Sequence, residues 1–244
     1  MKCMLCLQEK PLLKKSHIIP DFMYKDLYDE KHKLYKVDFR DPVNFESPST
    51  GEYDRDILCL ECDRDIIGKF YDDYAAKVFN QENFVQISIG NKIGPMLMND
   101  VQNIDYTRFK LFLLSILWRA GISKRKIFSA VQLGPYLEII RTMLYHQDPG
   151  EPSDFPCYMI SLRKEVEMSK ELVSPFRRDK QEFYTLYSVI IAGFLYIYRV
   201  GKNIHIPHDL ESILINKSNQ MKIVQIPIED GDKFLKRFLK LGSK

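Results

Sequence analysis

The chain has 244 residues, 45% of them hydrophobic and 12% aromatic, a composition that belongs to a well-cored globular protein and excludes a disordered one. The formal net charge of +3 is too small to mark a nucleic-acid binder by charge alone. Residues 1–80 hold 13 Lys/Arg against 16 Asp/Glu and the remainder 23 against 17, so phosphate attraction is expected mainly from the C-terminal part.

In chain order, the first signal is Cys3-Met-Leu-Cys6, a two-thiol knuckle. The polar Lys14, Lys15 and Ser16 lie between Leu12-Leu13 and Ile18-Ile19, and Pro20 bars a helix, so a short strand is expected to end in His17-Ile18-Ile19-Pro20. Asp21 is placed to cap a short helix through Phe22, Tyr24 and Leu27. Residues 31–52 turn polar around Asp41-Pro42, Ser47-Pro48 and Gly51 and read as a hairpin or long loop. A second knuckle, Cys59-Leu-Glu-Cys62, precedes a helix expected from Cys62 or Asp63 along a stripe of Ile66, Ile67, Phe70, Tyr74 and Val78.

Beyond residue 80, the alternation of Val85, Ile87 and Ile89 followed by Gly90-Asn91 predicts a strand pair turning there. A helix is expected over Arg108–Ala120, stopped by Gly121, and another around Leu137–Leu144, ended by Asp148-Pro149-Gly150. Strands are expected at Cys157–Leu162, Tyr184–Ile191, Phe194–Val200 and Ile223–Ile228, with a basic amphipathic helix over Lys233–Leu241. The uncharged run Phe183–Tyr198 is short for a membrane span and rich in Tyr and β-branched residues, so it reads as buried strands. The N-terminus has no apolar segment behind a basic start, and the chain is expected to be cytoplasmic, with no membrane partner.

Four of the five cysteines form the two knuckles. Thiols at this spacing in a reducing compartment read as metal ligands, and Cys3, Cys6, Cys59 and Cys62 together form the four-thiolate set that a structural zinc ion takes. Cys157 reads as a buried apolar residue. The expected architecture is α+β: a zinc-stabilised module over residues 1–80 and a larger mixed α/β domain over 81–244, with the boundary in 80–104.

The two knuckles, His17-Ile18-Ile19-Pro20 between them, and Asp63 directly after the last cysteine make residues 3–80 resemble the zinc-bearing HNH endonucleases of the ββα-metal fold. The resemblance implies hydrolysis of phosphodiester bonds in nucleic acid, DNA by preference, with Mg²⁺ or Mn²⁺ beside the structural zinc. By position, His17 would be the base that deprotonates water and Asp63 a ligand of the catalytic cation. Two departures stand out. Ser16 occupies the place of the family's acidic ligand, and Asp54 stands roughly where an Asn braces the loop, with Asp56 as a competitor and Asp65 as a substitute ligand. Lys14, Lys15, Arg64 and Lys69 are candidate phosphate contacts.

Each residue also has a plain structural reading: His17 as a strand histidine satisfied by a carbonyl, Asp63 as a helix cap, the lysines as solvated surface. The alternative to catalysis is therefore an inactive zinc module that binds nucleic acid or a protein partner, the latter through the C-terminal domain. A compact nuclease joined to a larger domain also suits phage defence, by analogy alone.

Overall fold

The computed structural model describes residues 1–28, 30, 36–38, 41–46, 51–81, 84–93, 96–162, 173–202, 206 and 208–225. The tail Lys233–Leu241 lies outside these residues, as does the end of the strand expected to reach Ile228. The fold is α+β.

The first knuckle is a tight hairpin closed by a Lys2–Glu9 bridge, with Leu7 in the left-handed region at φ 61°. Strand β1 (Ser16–His17) follows, then a 3₁₀ helix over Asp21–Leu27. The cap position of that helix is Pro20, and Asp21 sits inside the first turn, where it accepts a hydrogen bond from the Tyr28 hydroxyl at 2.7 Å. Strands β2 (Lys36–Asp38) and β3 (Asp41–Glu46) form an antiparallel hairpin. Strand β4 (Tyr53–Asp54) returns to pair antiparallel with β1, setting Ser16 opposite Asp54 and His17 opposite Tyr53.

The helix after the second knuckle is wound in two ways. Cys62–Asp72 is π-helical and α1 (Asp73–Asn80) continues it as an ordinary helix. Its inward face is Cys62, Ile67 and Tyr71, then Tyr74 and Ala75; Ile66 and Phe70 of the expected stripe are only half-buried. The i→i+5 pattern explains the shift, because it moves the buried face from the positions a 3.6-residue repeat selects. Gly68 makes room for the wide turn: a Cβ there would lie 3.2 Å from the Asp63 carbonyl oxygen.

Strands β5 (Gln86–Ile93) and β6 (Met96–Gln102) pair as expected, but Ile93 faces Met96 and Gly90-Asn91 lies within β5 at a register irregularity, so the reversal falls beyond it. Helix α2 (Tyr106–Ile122) is capped by the Asp105 carboxylate, which accepts from the Arg108 N–H at 2.9 Å. Gly121 lies inside its last turn; Ser123, in extended conformation, ends the helix. Every residue from Phe109 to Ala120 is buried, so α2 is the central rod of the core. Helix α3 (Tyr136–His146) packs against it and ends at Gln147 in the left-handed region.

Strands β7 (Cys157–Ser161), β8 (Arg177–Lys180), β9 (Tyr184–Ile191) and β10 (Phe194–Gly201), a short helix α4 (His208–Glu211) and strand β11 (Gln220–Gln225) complete the chain. The large sheet runs in the order β5-β6-β11-β7-β10-β9-β8, antiparallel except where β11 meets β7. The uncharged run is the β9–β10 hairpin, turned through Ala192 (φ 51°) and Gly193 (φ 81°), a pair of left-handed residues of the kind two-residue hairpins require. Among the described residues no helix is long and apolar enough to cross a membrane. Alternation along the strands sends Met159, Tyr196 and Tyr198 into a core shared with α2 and the knuckles, and Tyr158 and Val224 into a smaller cluster on the opposite face.

Candidate metal centre and adjoining site

Two antiparallel contacts draw the knuckles together: Met4 N–H donates to the Ile57 carbonyl and Leu13 N–H to the Leu58 carbonyl, both at 2.9 Å. The ligand-capable atoms of Cys3, Cys6, Cys59 and Cys62 then all lie within 4.8 Å of one another, close enough to hold one metal ion and compatible with structural zinc. The Cys59 N–H donates to the Cys3 sulfur at 3.3 Å, a bond that favours a thiolate there. The thiols bear on each other: Cys3 is held low by its hydrogen bond from Cys62, whose own thiol is pushed up by the same contact. From outside, Arg141 on α3 donates to the Leu5 carbonyl at 2.5 Å and so fixes the first knuckle against the core. Cys157 is buried within β7 and takes no part in the cluster.

The same clamp sets the end of β1 beside the start of the π-helix. Asp63 is half-buried, and burial raises its carboxyl above the usual range, offset by the Ser16 hydroxyl and by Arg119. The Ser16 Oγ is nevertheless buried without a hydrogen bond of ordinary geometry, so Asp63 and Ser16 are neighbours with unused polar capacity between them. His17 lies next along the strand. Its Nε2 is shut off from solvent and meets no partner, so a proton arriving from solvent must use Nδ1. Burial lowers the pKa of His17; Lys15 and Arg119 add to the effect and Asp21 opposes it. Burial thus favours the neutral ring. The carbonyl that satisfies a plain strand histidine is missing at Nε2. No hydrogen bond joins His17 to Asp63; the residue of β1 that acts on Asp63 is Ser16.

Other residues fall as follows. Asp54 accepts from the Ser123 hydroxyl at 2.5 Å and from the Lys124 N–H at 3.0 Å, bracing the loop after α2. Asp56, in the left-handed region, pairs with Lys14 at 3.3 Å. Asp65 is engaged at the surface by Arg64 and Lys69, which hold its carboxyl down at about 2. Arg64 and Lys69 thus share an acidic partner, while Lys15 stands 5.2 Å from the Tyr53 ring centre, on the His17 side of the strand pair.

Two residues that sequence reasoning missed tie the site to the core. Arg119 is 1% exposed, takes both oxygens of Asp72 at 3.0 and 2.9 Å, and donates to the His17 carbonyl at 3.3 Å. The available signal was an arginine directly after the uncharged run Leu111–Trp118 on the same helix, a charge that has no place in a core without a partner. Comparison with protein-family models, curated proteins and solved structures finds no match to this chain.

Proposed function

We propose that the protein is a metal-dependent, HNH-like endonuclease that hydrolyses phosphodiester bonds in nucleic acid, DNA by preference, with His17 as general base. The observation that carries this reading is the four-sulfur cluster holding β1 against the start of the π-helix, with Asp63 beside Ser16 and a neutral His17 adjoining. Four thiolates favour zinc as the ion of that cluster, in a structural role.

The chemistry follows from the donors. A neutral imidazole takes a proton from water as the oxygen attacks phosphorus, and the bond from phosphorus to the leaving oxygen breaks. Bound Mg²⁺ or Mn²⁺ would polarise the phosphate and stabilise the leaving oxyanion. Asp63 would hold that cation, with the neighbouring Ser16 hydroxyl as a weak second ligand and substrate phosphate and water completing the shell. One carboxylate with phosphate oxygens is a set magnesium accepts.

A second reading, an inactive zinc module that binds nucleic acid or a protein partner, is favoured by one observation. Among the described residues, the four cysteines are the only group of three or more His, Cys, Asp or Glu that comes together. A role in phage defence is a proposal that rests on analogy.

Supercoiled plasmid and single-stranded RNA incubated with the protein and Mg²⁺ or Mn²⁺ separate the two. On the nuclease reading, cutting requires the cation and falls by about 10²–10⁴ in His17→Ala, the usual contribution of a general base. It is also lost in Asp63→Ala. Cutting undiminished in His17→Ala refutes the assigned base, and no cutting of any substrate favours the binding module.

A further inference from the structure

Cations from two parts of the chain meet beside His17. Tyr53 lies directly across the strand pair from His17, and two cations stand over its ring: Lys15 at 5.2 Å and Arg125 at 5.6 Å from the centre. Arg125 comes from the loop after α2, far outside the HNH-like stretch. Three contacts bind that loop here: Asp54 accepts from the Ser123 hydroxyl and from the Lys124 N–H, and Glu52, 7% exposed, pairs with Arg125 at 2.9 Å. Within the loop the Ser123 hydroxyl accepts from the Arg125 N–H at 3.1 Å.

Four of the nearby carboxylates are engaged, and Asp63 is the exception. Glu52 is taken by Arg125, Asp54 by the loop, Asp56 by Lys14, and Asp21 accepts from Tyr28. Lys15 and Lys124, both exposed, have no carboxylate partner among the described residues. A plain solvated surface does not call for a buried Glu52 and a half-buried Asp54 that fasten a basic loop beside a histidine. The arrangement holds cations from two distant parts of the chain at fixed spacing around one aromatic ring, which is what a run of backbone phosphates requires.

We infer that the loop Ser123–Arg125 completes a phosphate-binding face around His17, together with Lys15 and Tyr53, and that this face takes the sugar–phosphate backbone of a nucleic-acid strand. The inference rests on the nuclease reading only in taking the bound strand to be the substrate.

Binding is measured in a His17→Ala background without added Mg²⁺, by fluorescence anisotropy across a salt series. The probes are a labelled single-stranded DNA of about 20 nucleotides, its duplex, and the RNA of the same sequence. Lys15→Ala combined with Lys124→Ala is expected to weaken the tightest-binding probe about tenfold and to reduce the salt slope by about 1.4, some 0.7 for each phosphate of a single strand that is no longer neutralised. Lys217→Ala is the control. Lys217 lies near the N-terminal end of α2, roughly 25 Å from Ser123 at 1.5 Å per residue, and its loss is expected to change affinity by less than about twofold.

Equal losses in the control and the double variant would overturn the inference, as would an unchanged slope in the double variant or no binding of any probe by the parent. Failure of the nuclease reading is distinguishable: no substrate is cut, yet the double variant still loses affinity. Cutting that depends on His17 while the double variant binds normally would remove the phosphate face and leave the nuclease standing. Melting temperatures within about 2 °C of the parent establish that folding is intact in both variants.

Discussion

Breaking the Asp72–Arg119 pair tests how the site is held. Asp72→Ala leaves a guanidinium that is 1% exposed without its carboxylate. Stranding one member of a buried pair costs about 3–5 kcal/mol. Asp72 keeps 18% of its side chain exposed, and Arg119 retains the Ser115 and His17 carbonyls, so the lower end, about 3 kcal/mol, is expected. In a chain of this size that lowers the melting temperature by roughly 6–12 °C.

Arg119→Met strands the carboxylate instead and differs in its pH dependence. Burial already raises the Asp72 pKa above its ordinary value of 3.8 against the pull of Arg119, and removing the cation raises it further. A folded pKa above the unfolded one means that stability is fully present below the unfolded value and is lost as pH rises through the folded value. The deficit of Arg119→Met should therefore shrink between pH 7 and pH 5, while that of Asp72→Ala should not, because guanidinium does not titrate there. Asp72→Ala with Arg119→Met buries no charge and should be less destabilised than the sum of the single variants. Urea and thermal unfolding at the two pH values measure all three. A single-variant cost below about 1 kcal/mol, or a double variant equal to the sum, would refute the assigned role of the pair.

Two further outcomes follow from the site. Elemental analysis should find about one zinc per chain, and its removal by a chelator, or Cys59→Ser, should loosen the fold broadly, because the ion joins segments 56 residues apart, whereas His17→Ala should leave melting nearly unchanged. His17, its pKa depressed below 6.5, contributes stability that is present above 6.5 and lost as pH falls through the folded value; the acid limb of plasmid cutting should likewise lie below 6.5. Ring resonances followed by NMR report that pKa directly, and a midpoint above 6.5 would contradict the burial argument.

What was legible in the sequence is what local rules encode. Knuckle spacing marked four cysteines that do come together, and the uncharged run Phe183–Tyr198, rich in Tyr and β-branched residues, marked the strands of the β9–β10 hairpin. Local rules failed where neighbours in space decide. Gly90-Asn91 is a turn pair, but β6 offers partners beyond it and the strand continues. Gly121 would end an exposed helix; within the packed core the helix runs on to Ile122. The π-winding of Cys62–Asp72 shifts a face that a 3.6-residue repeat places on Ile66 and Phe70. Arg119 and Asp72 find each other across 47 residues, a pairing no window of sequence contains.

These long-range contacts bear on where the folded unit ends. The stretch that resembles a nuclease stops near residue 80, but its inward face does not close on itself. Tyr71 donates its hydroxyl to the Leu144 carbonyl at 2.6 Å, Tyr74 accepts from the Asp105 N–H, and Arg141 reaches back to Leu5. Without α2 and α3, Ile67 and Tyr71 lose apolar cover, Asp72 loses its cation, and the His17 carbonyl loses its donor. A module of this size supplies little core of its own, and a metal ion held by the four cysteines could fix the knuckles but not the far end of the π-helix. The strand pair carrying His17 is thus positioned from two sides, by the four sulfurs on one and by Arg119 and the Ser123–Arg125 loop on the other. The second side is made entirely of residues that lie beyond the recognisable motif.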